Sequence, residues 1–186
     1  MKKLLLVCAA LLFAGQTFSQ NIPENTVLKR LDGSEVKMKD VLKDDVVIIS
    51  FWATWCKPCH AELDALYDIE EMWRDKVRIV AISTDDARTT AKVRSLVTGK
   101  RWPYEVLLDT NKTLFKALNL ASIPFVMIVK NGETLYTLPE SMYATSVFFS
   151  GGEVYAAGFD RSADQRVAKV WKNDKVLYTL TGKELF

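Results

Sequence analysis

Cysteine and histidine are scarce in this chain of 186 residues: three cysteines and a single histidine, His60. That scarcity argues against zinc: the one C-x-x-C pair is half of a four-ligand site, and outside the apolar N-terminal run that holds Cys8 only His60 could add to it. Membrane-spanning apolar runs are lacking too. Leu4 to Ala14 is apolar throughout but too short to cross a bilayer as a helix. It follows Lys2 and Lys3 and precedes Thr17-Phe18-Ser19, which offers small residues where a signal peptidase needs them. The pattern predicts a secretory leader over residues 1–19, cut near Ser19. A strong net charge is also missing. The cut removes Lys2 and Lys3 and no acids, so the formal charge falls from +2 to 0. A neutral domain gives no electrostatic case for nucleic acid or an anionic membrane. Cys8 leaves with the leader, and only Cys56 and Cys59 remain, outside the cytoplasm. A bond between them closes a very small loop and constrains the unfolded chain little, so a purely structural staple fits poorly.

What is present is a core-forming composition, 49% apolar, arranged in alternating elements. Val27 to Leu31 reads as a strand, Asp32-Gly33 as its turn and Ser34 to Met38 as the return. Val46 to Trp52 is apolar and β-branched almost throughout, the pattern of a strand buried on both faces. Behind it Leu63, Leu66, Ile69 and Trp73 recur at helical spacing, predicting one amphipathic helix from about Cys56 to Arg74. Strands follow at Val77 to Ser83, Val106 to Leu108 and Phe125 to Val129, with helices over Ala87 to Val97 and Thr113 to Leu118. Asn131-Gly132 signals a hairpin into Glu133 to Leu138. This order predicts an α/β domain over residues 20–140, a mixed sheet flanked by helices.

Residues 141–186 differ in texture. Strands are expected at Tyr143 to Ser150, Glu153 to Phe159, Arg166 to Lys172 and Lys175 to Leu180, with no amphipathic helix. Lys130-Asn131 and Leu135-Tyr136-Thr137-Leu138 recur 42 residues later as Lys172-Asn173 and Leu177-Tyr178-Thr179-Leu180. That period is the size of one propeller blade, and it predicts a blade-like β tail.

The reactive pair sits where the strand ending at Trp52 meets the helix behind it. Disulfide exchange needs a thiolate that attacks and a second thiol that resolves the mixed disulfide. A helix start stabilises the first through unpaired N–H groups and the positive end of the dipole. Cys56 is therefore the expected nucleophile and Cys59, one turn on, the resolving thiol. Lys57 adds positive charge or is simply solvated. Pro58 suits a first helical turn, where its missing N–H has no partner. Trp55 is expected beside the pair, shaping a substrate surface. Two other chemistries use the same residues. Cys56 to His60 matches C-x-x-C-H, a haem attachment motif. A peroxidase is the other, although its resolving cysteine is usually distant.

With these residues in view, the chain resembles the thioredoxin superfamily, and within it exported TlpA/ResA-type thiol–disulfide oxidoreductases. The resemblance spans about residues 21–138 and is carried by Val46 to Cys59 and by Ala121-Ser122-Ile123-Pro124-Phe125. It implies a cis peptide before Pro124, opposite the cysteines, with backbone groups at Ile123 pairing an extended substrate chain. It implies no cofactor beyond the redox-active disulfide, protein disulfides as substrates, and a membrane or exported electron donor. It places the chain in the periplasm or its equivalent, where relatives reduce apocytochromes awaiting haem. Three positions depart from the pattern. Ser50 stands where thioredoxins carry a buried acid. Asp86 matches an acidic position of the ResA-type branch, either as a supporting acid or, the favoured reading, as an acid at a helix N-terminus. Asp64 stands where proline is common. The usual C-terminal helix is replaced by the β tail. Those departures keep a second reading open, a non-catalytic thioredoxin-like interaction module.

Overall fold

A computed structural model describes residues 22–43, 46–75, 77–137, 142–150, 153–160, 167–172 and 175–180. The leader and the two expected boundaries, at 19/20 and 140/141, lie outside the described residues. β1 (Val27–Arg30) and β2 (Glu35–Lys37) form the opening hairpin. The return strand ends one residue early because Met38 begins a short helix, α1 (Met38–Val41). β3 (Val46–Trp52) lies parallel to β4 (Arg78–Ser83), and β4 parallel to β5 (Glu105–Leu108). β6 (Phe125–Lys130) is antiparallel to β3 on its other side, and β7 (Glu133–Thr137) closes that edge. The sheet order is β2-β1-β5-β4-β3-β6-β7.

β3 is the axis of the molecule, and every residue from Val47 to Trp52 is buried. Its side chains alternate between two cores, as a pleated strand requires. Val47, Ile49 and Phe51 pack with Met38, Ile82, Leu114 and Met127. Ile48 and Trp52 pack on the opposite face with Leu63, Val93, Trp102 and both cysteines.

Two expected helices differ in their bounds. The long helix behind the cysteines is two, α2 (Lys57–Asp68) and α3 (Glu70–Trp73), broken at Ile69. The break lets the Trp73 indole donate to the Leu66 carbonyl at 2.7 Å, satisfying one of the acceptors exposed at the end of α2. The next helix, α4 (Thr90–Lys100), starts later than its periodicity suggests. The Asp86 carboxylate accepts from the Arg88 and Thr89 N–H groups and holds that stretch as a turn. Arg101, at φ 57°, caps α4 in the left-handed region, so Gly99 lies inside the helix. α5 (Thr113–Ala117) follows, its first N–H groups received by the buried Asp109.

The tail forms a second sheet of β8 (Met142–Ser150), β9 (Glu153–Asp160), β10 (Val167–Lys172) and β11 (Lys175–Leu180). It is an antiparallel meander. Trp171 and Ala156 face each other in register. Both are buried, at 4% and 1% exposure, within the core that holds Leu63, Val93 and the cysteines. The second sheet therefore covers the side of the first that carries α2 and α4. The sequence echo has a structural counterpart. β6–β7 shifts register between Ile128 and Val129, and β10–β11 shifts between Val170 and Trp171, at matching positions of the repeat.

Candidate active site

The end of β3 delivers the site. After Trp52, Ala53 accepts a hydrogen bond from the Cys56 N–H at 3.0 Å, closing a tight turn through Thr54 and Trp55. That turn is held from the next strand. Asp85, only 1% exposed, accepts from the Thr54 N–H at 2.8 Å, from the Thr54 hydroxyl at 2.6 Å and from the Ser83 hydroxyl at 2.9 Å. The Thr84 N–H adds a bond to the Trp52 carbonyl at 2.8 Å. A buried carboxylate needs several donors of this kind, and each donor here belongs to a segment that must stay in place.

Cys56 is the N-cap of α2, and its sulfur accepts the Cys59 N–H at 3.3 Å. The two cysteines are joined, with 2.01 Å between sulfurs and 5.3 Å between Cα atoms. Cys56 retains 4% exposure and Cys59 none. Lys57 and Pro58 are exposed, with Pro58 in the first turn. The Ile123–Pro124 bond is cis. Phe125 pairs with Phe51, which puts Pro124 level with the end of β3 and at the same edge as the cysteine turn. Ile123 packs against the core that contains both cysteines.

Trp55 does not pack down beside the pair. It stands 63% exposed, because its neighbours Thr54 and Cys56 are the residues drawn inward. Asp86 sits as the acid before a helix, the favoured of its two readings, and not as a supporting acid of the cysteines. Its partners are Arg88, Thr89 and Thr90 at the head of α4, and the Arg88 guanidinium at 2.8 Å holds its carboxyl down at about 2. The acid bonded to the cysteine turn is its neighbour Asp85. His60 rests its Nε2 3.2 Å from the Ala53 carbonyl oxygen and meets the rings of Trp52 and Trp102 edge-on.

A second acid escaped the sequence reading. Glu62 lies on α2 among the charged residues between its apolar positions. Its carboxyl accepts the hydroxyl of fully buried Ser50 at 2.9 Å. Burial pushes that carboxyl up to about 7, against the smaller opposing effect of the Ser50 hydrogen bond. Ser50 and Glu62 thus return an acid to the position whose strand residue lacks one. The available signal was spacing. Glu62 lies three residues after Cys59 and four before Leu66, on the inward face of the helix.

Residues 19–138 match the AhpC/TSA family. The thioredoxin-like protein YneN of Bacillus subtilis is 32% identical over 103 residues, 55% of this chain and 59% of that protein. The thiol-disulfide oxidoreductase ResA of Bacillus thuringiensis is 27% identical over 113 residues, 60% of this chain and 64% of that one. The chain thus spans about three fifths of the length of these curated relatives. Among solved structures, an uncharacterized thioredoxin-like protein from Porphyromonas gingivalis is 38% identical with a TM-score of 0.57. That alignment covers 66% of this chain and 82% of that one.

Proposed function

Because the chain belongs to the AhpC/TSA family and has a thioredoxin-like fold, we propose that it is an extracytoplasmic thiol–disulfide oxidoreductase that reduces protein disulfides. The observation that carries this reading is the Cys56–Cys59 disulfide at the N-terminus of α2. In the reduced protein the Cys56 thiolate, favoured by the Cys59 N–H and the helix start, attacks one sulfur of a substrate disulfide. An S–S bond forms to Cys56, and the other substrate sulfur leaves as a thiolate and takes up a proton. Cys59 gives up its proton and attacks the Cys56 sulfur. The second substrate thiol is released and the internal disulfide forms. Two electrons have passed to the substrate, and an extracytoplasmic dithiol donor, membrane-bound or exported, returns them by the same exchange run in reverse.

Glu62 is suited to receive the Cys59 proton, since a carboxyl titrating at about 7 exists in both forms at neutral pH. The cis peptide at Ile123–Pro124 sits at the same sheet edge, where backbone groups can pair an extended substrate. Export rests on the leader-like residues 1–19, and apocytochromes are one substrate class implied by the ResA resemblance.

The test is the reduction potential of the pair, from alkylation counted by mass in defined thiol buffers. A reductant gives a value near or below about −220 mV. A value near about −120 mV would make the protein a disulfide donor instead. A mass exceeding the chain by one haem, with both cysteines blocked, would replace this reading by the C-x-x-C-H one. Cys56→Ser should abolish turnover, and full partner binding with no turnover in the unmodified protein would favour the interaction module.

A further inference from the structure

Trp55 forms one wall of an open surface groove of about 710 Å³. Thr54 lies in it at the cysteine end, Thr89 comes from the turn before α4, and Lys92, Ser95 and Leu96 come from the first half of α4 and its middle. The groove begins at the residue next to Cys56, within reach of a chain joined to Cys56. Its apolar surfaces are the Trp55 ring and Leu96. The acid beneath it, Asp85, is already engaged by Thr54, and two nearby cations differ in state. Arg88 is neutralised by Asp86 at 2.8 Å. Lys92 lines the groove, is exposed, and makes no ion pair among the described residues.

Resting on the reading of Cys56 as nucleophile, we infer that this groove selects the polypeptide flanking the substrate disulfide. It takes an extended segment with an apolar side chain against Trp55 and Leu96 and a carboxylate at Lys92. An open groove suits a strand of polypeptide, whereas a small ligand gains most from enclosure. A large, accessible indole is the kind of surface that anchors an apolar side chain at an interface. An uncompensated lysine at the rim discriminates by charge.

The experiment uses the full mature chain and two short peptides. Each carries one cysteine joined to thionitrobenzoate and a leucine beside it, and they differ only in a nearby glutamate or lysine. Attack by Cys56 releases the coloured thionitrobenzoate thiolate and leaves the peptide on Cys56. Cys59 then frees the peptide thiol, and dithiothreitol restores the dithiol. The wild type should prefer the glutamate peptide by about fivefold in kcat/KM, mainly through KM, the size expected of exposed charge pairs. Lys92→Glu should invert the preference, Lys92→Gln should bring it near unity, and added salt should weaken the wild-type preference. Equal use of both peptides, or one unchanged ratio in all three proteins, overturns the inference while leaving the oxidoreductase reading intact. If the wild type does not reduce even the peptide-free aromatic disulfide, both fall together.

Discussion

Glu62→Gln isolates the buried acid. Its folded-state value is about 7 against 4.5 for the ordinary side chain. Below about pH 4.5 the group is protonated whether the chain is folded or not, and it favours neither state. As pH rises, the unfolded chain releases this proton first while the folded chain retains it, so the group costs stability progressively until it ionises in the fold as well. The gap of about 2.5 units, at about 1.36 kcal/mol per unit, amounts to roughly 3 kcal/mol. Glutamine keeps an oxygen for the Ser50 hydroxyl and cannot ionise. Urea unfolding of the oxidised protein should therefore show the variant gaining about 3 kcal/mol on the wild type between pH 4.5 and pH 8. Taking the difference between the two proteins cancels every other titrating group. A difference that stays constant over that range would show that Glu62 is not desolvated and would remove it as a proton acceptor for Cys59.

Asp85→Ala strips three donors of their buried acceptor and should lower the unfolding free energy by about 3 kcal/mol. Asp85→Asn should lose less, and Asp86→Ala less again, with urea midpoints as the readout; equal losses at both aspartates would refute the distinction between them. Trp171→Ala empties a site at 4% exposure within the shared core and should cost about 3 kcal/mol in a single transition. Deleting residues 141–186 should lower the melting temperature and bare apolar sheet surface to a hydrophobic dye, and an unchanged melting temperature would mean that the tail does not pack.

The strands and the cysteine turn were legible because their signals are local. Val46 to Trp52 is short, apolar and β-branched, the look of a strand buried on both faces. Asn131-Gly132 adopts positive φ at both residues, as its dipeptide demands. The helix bounds were less legible because single side-chain hydrogen bonds just outside the helices accompany them, and hydrophobic periodicity does not register such bonds. The Trp73 indole bonds at the end of α2, and the Asp86 carboxylate ahead of α4. The acid that holds the cysteine turn was not legible at all. Asp85 and Asp86 are adjacent and chemically identical. Which one faces the cysteine turn depends on the direction in which the chain leaves β4.

The sequence by itself determined the alternation of elements, the pair Cys56 and Cys59 at a strand-to-helix junction, and the 42-residue echo of one hairpin in another. All of these follow from spacing and composition, which short stretches of chain carry within themselves. Tertiary structure decided what those stretches meet. It brought Glu62 from α2 to Ser50 of β3 and seated Trp171 against the core of a different sheet. It also left Trp55 standing over a groove built from α4. Desolvation, shared burial and charge balance arise only when distant segments come together, and local patterns do not record them.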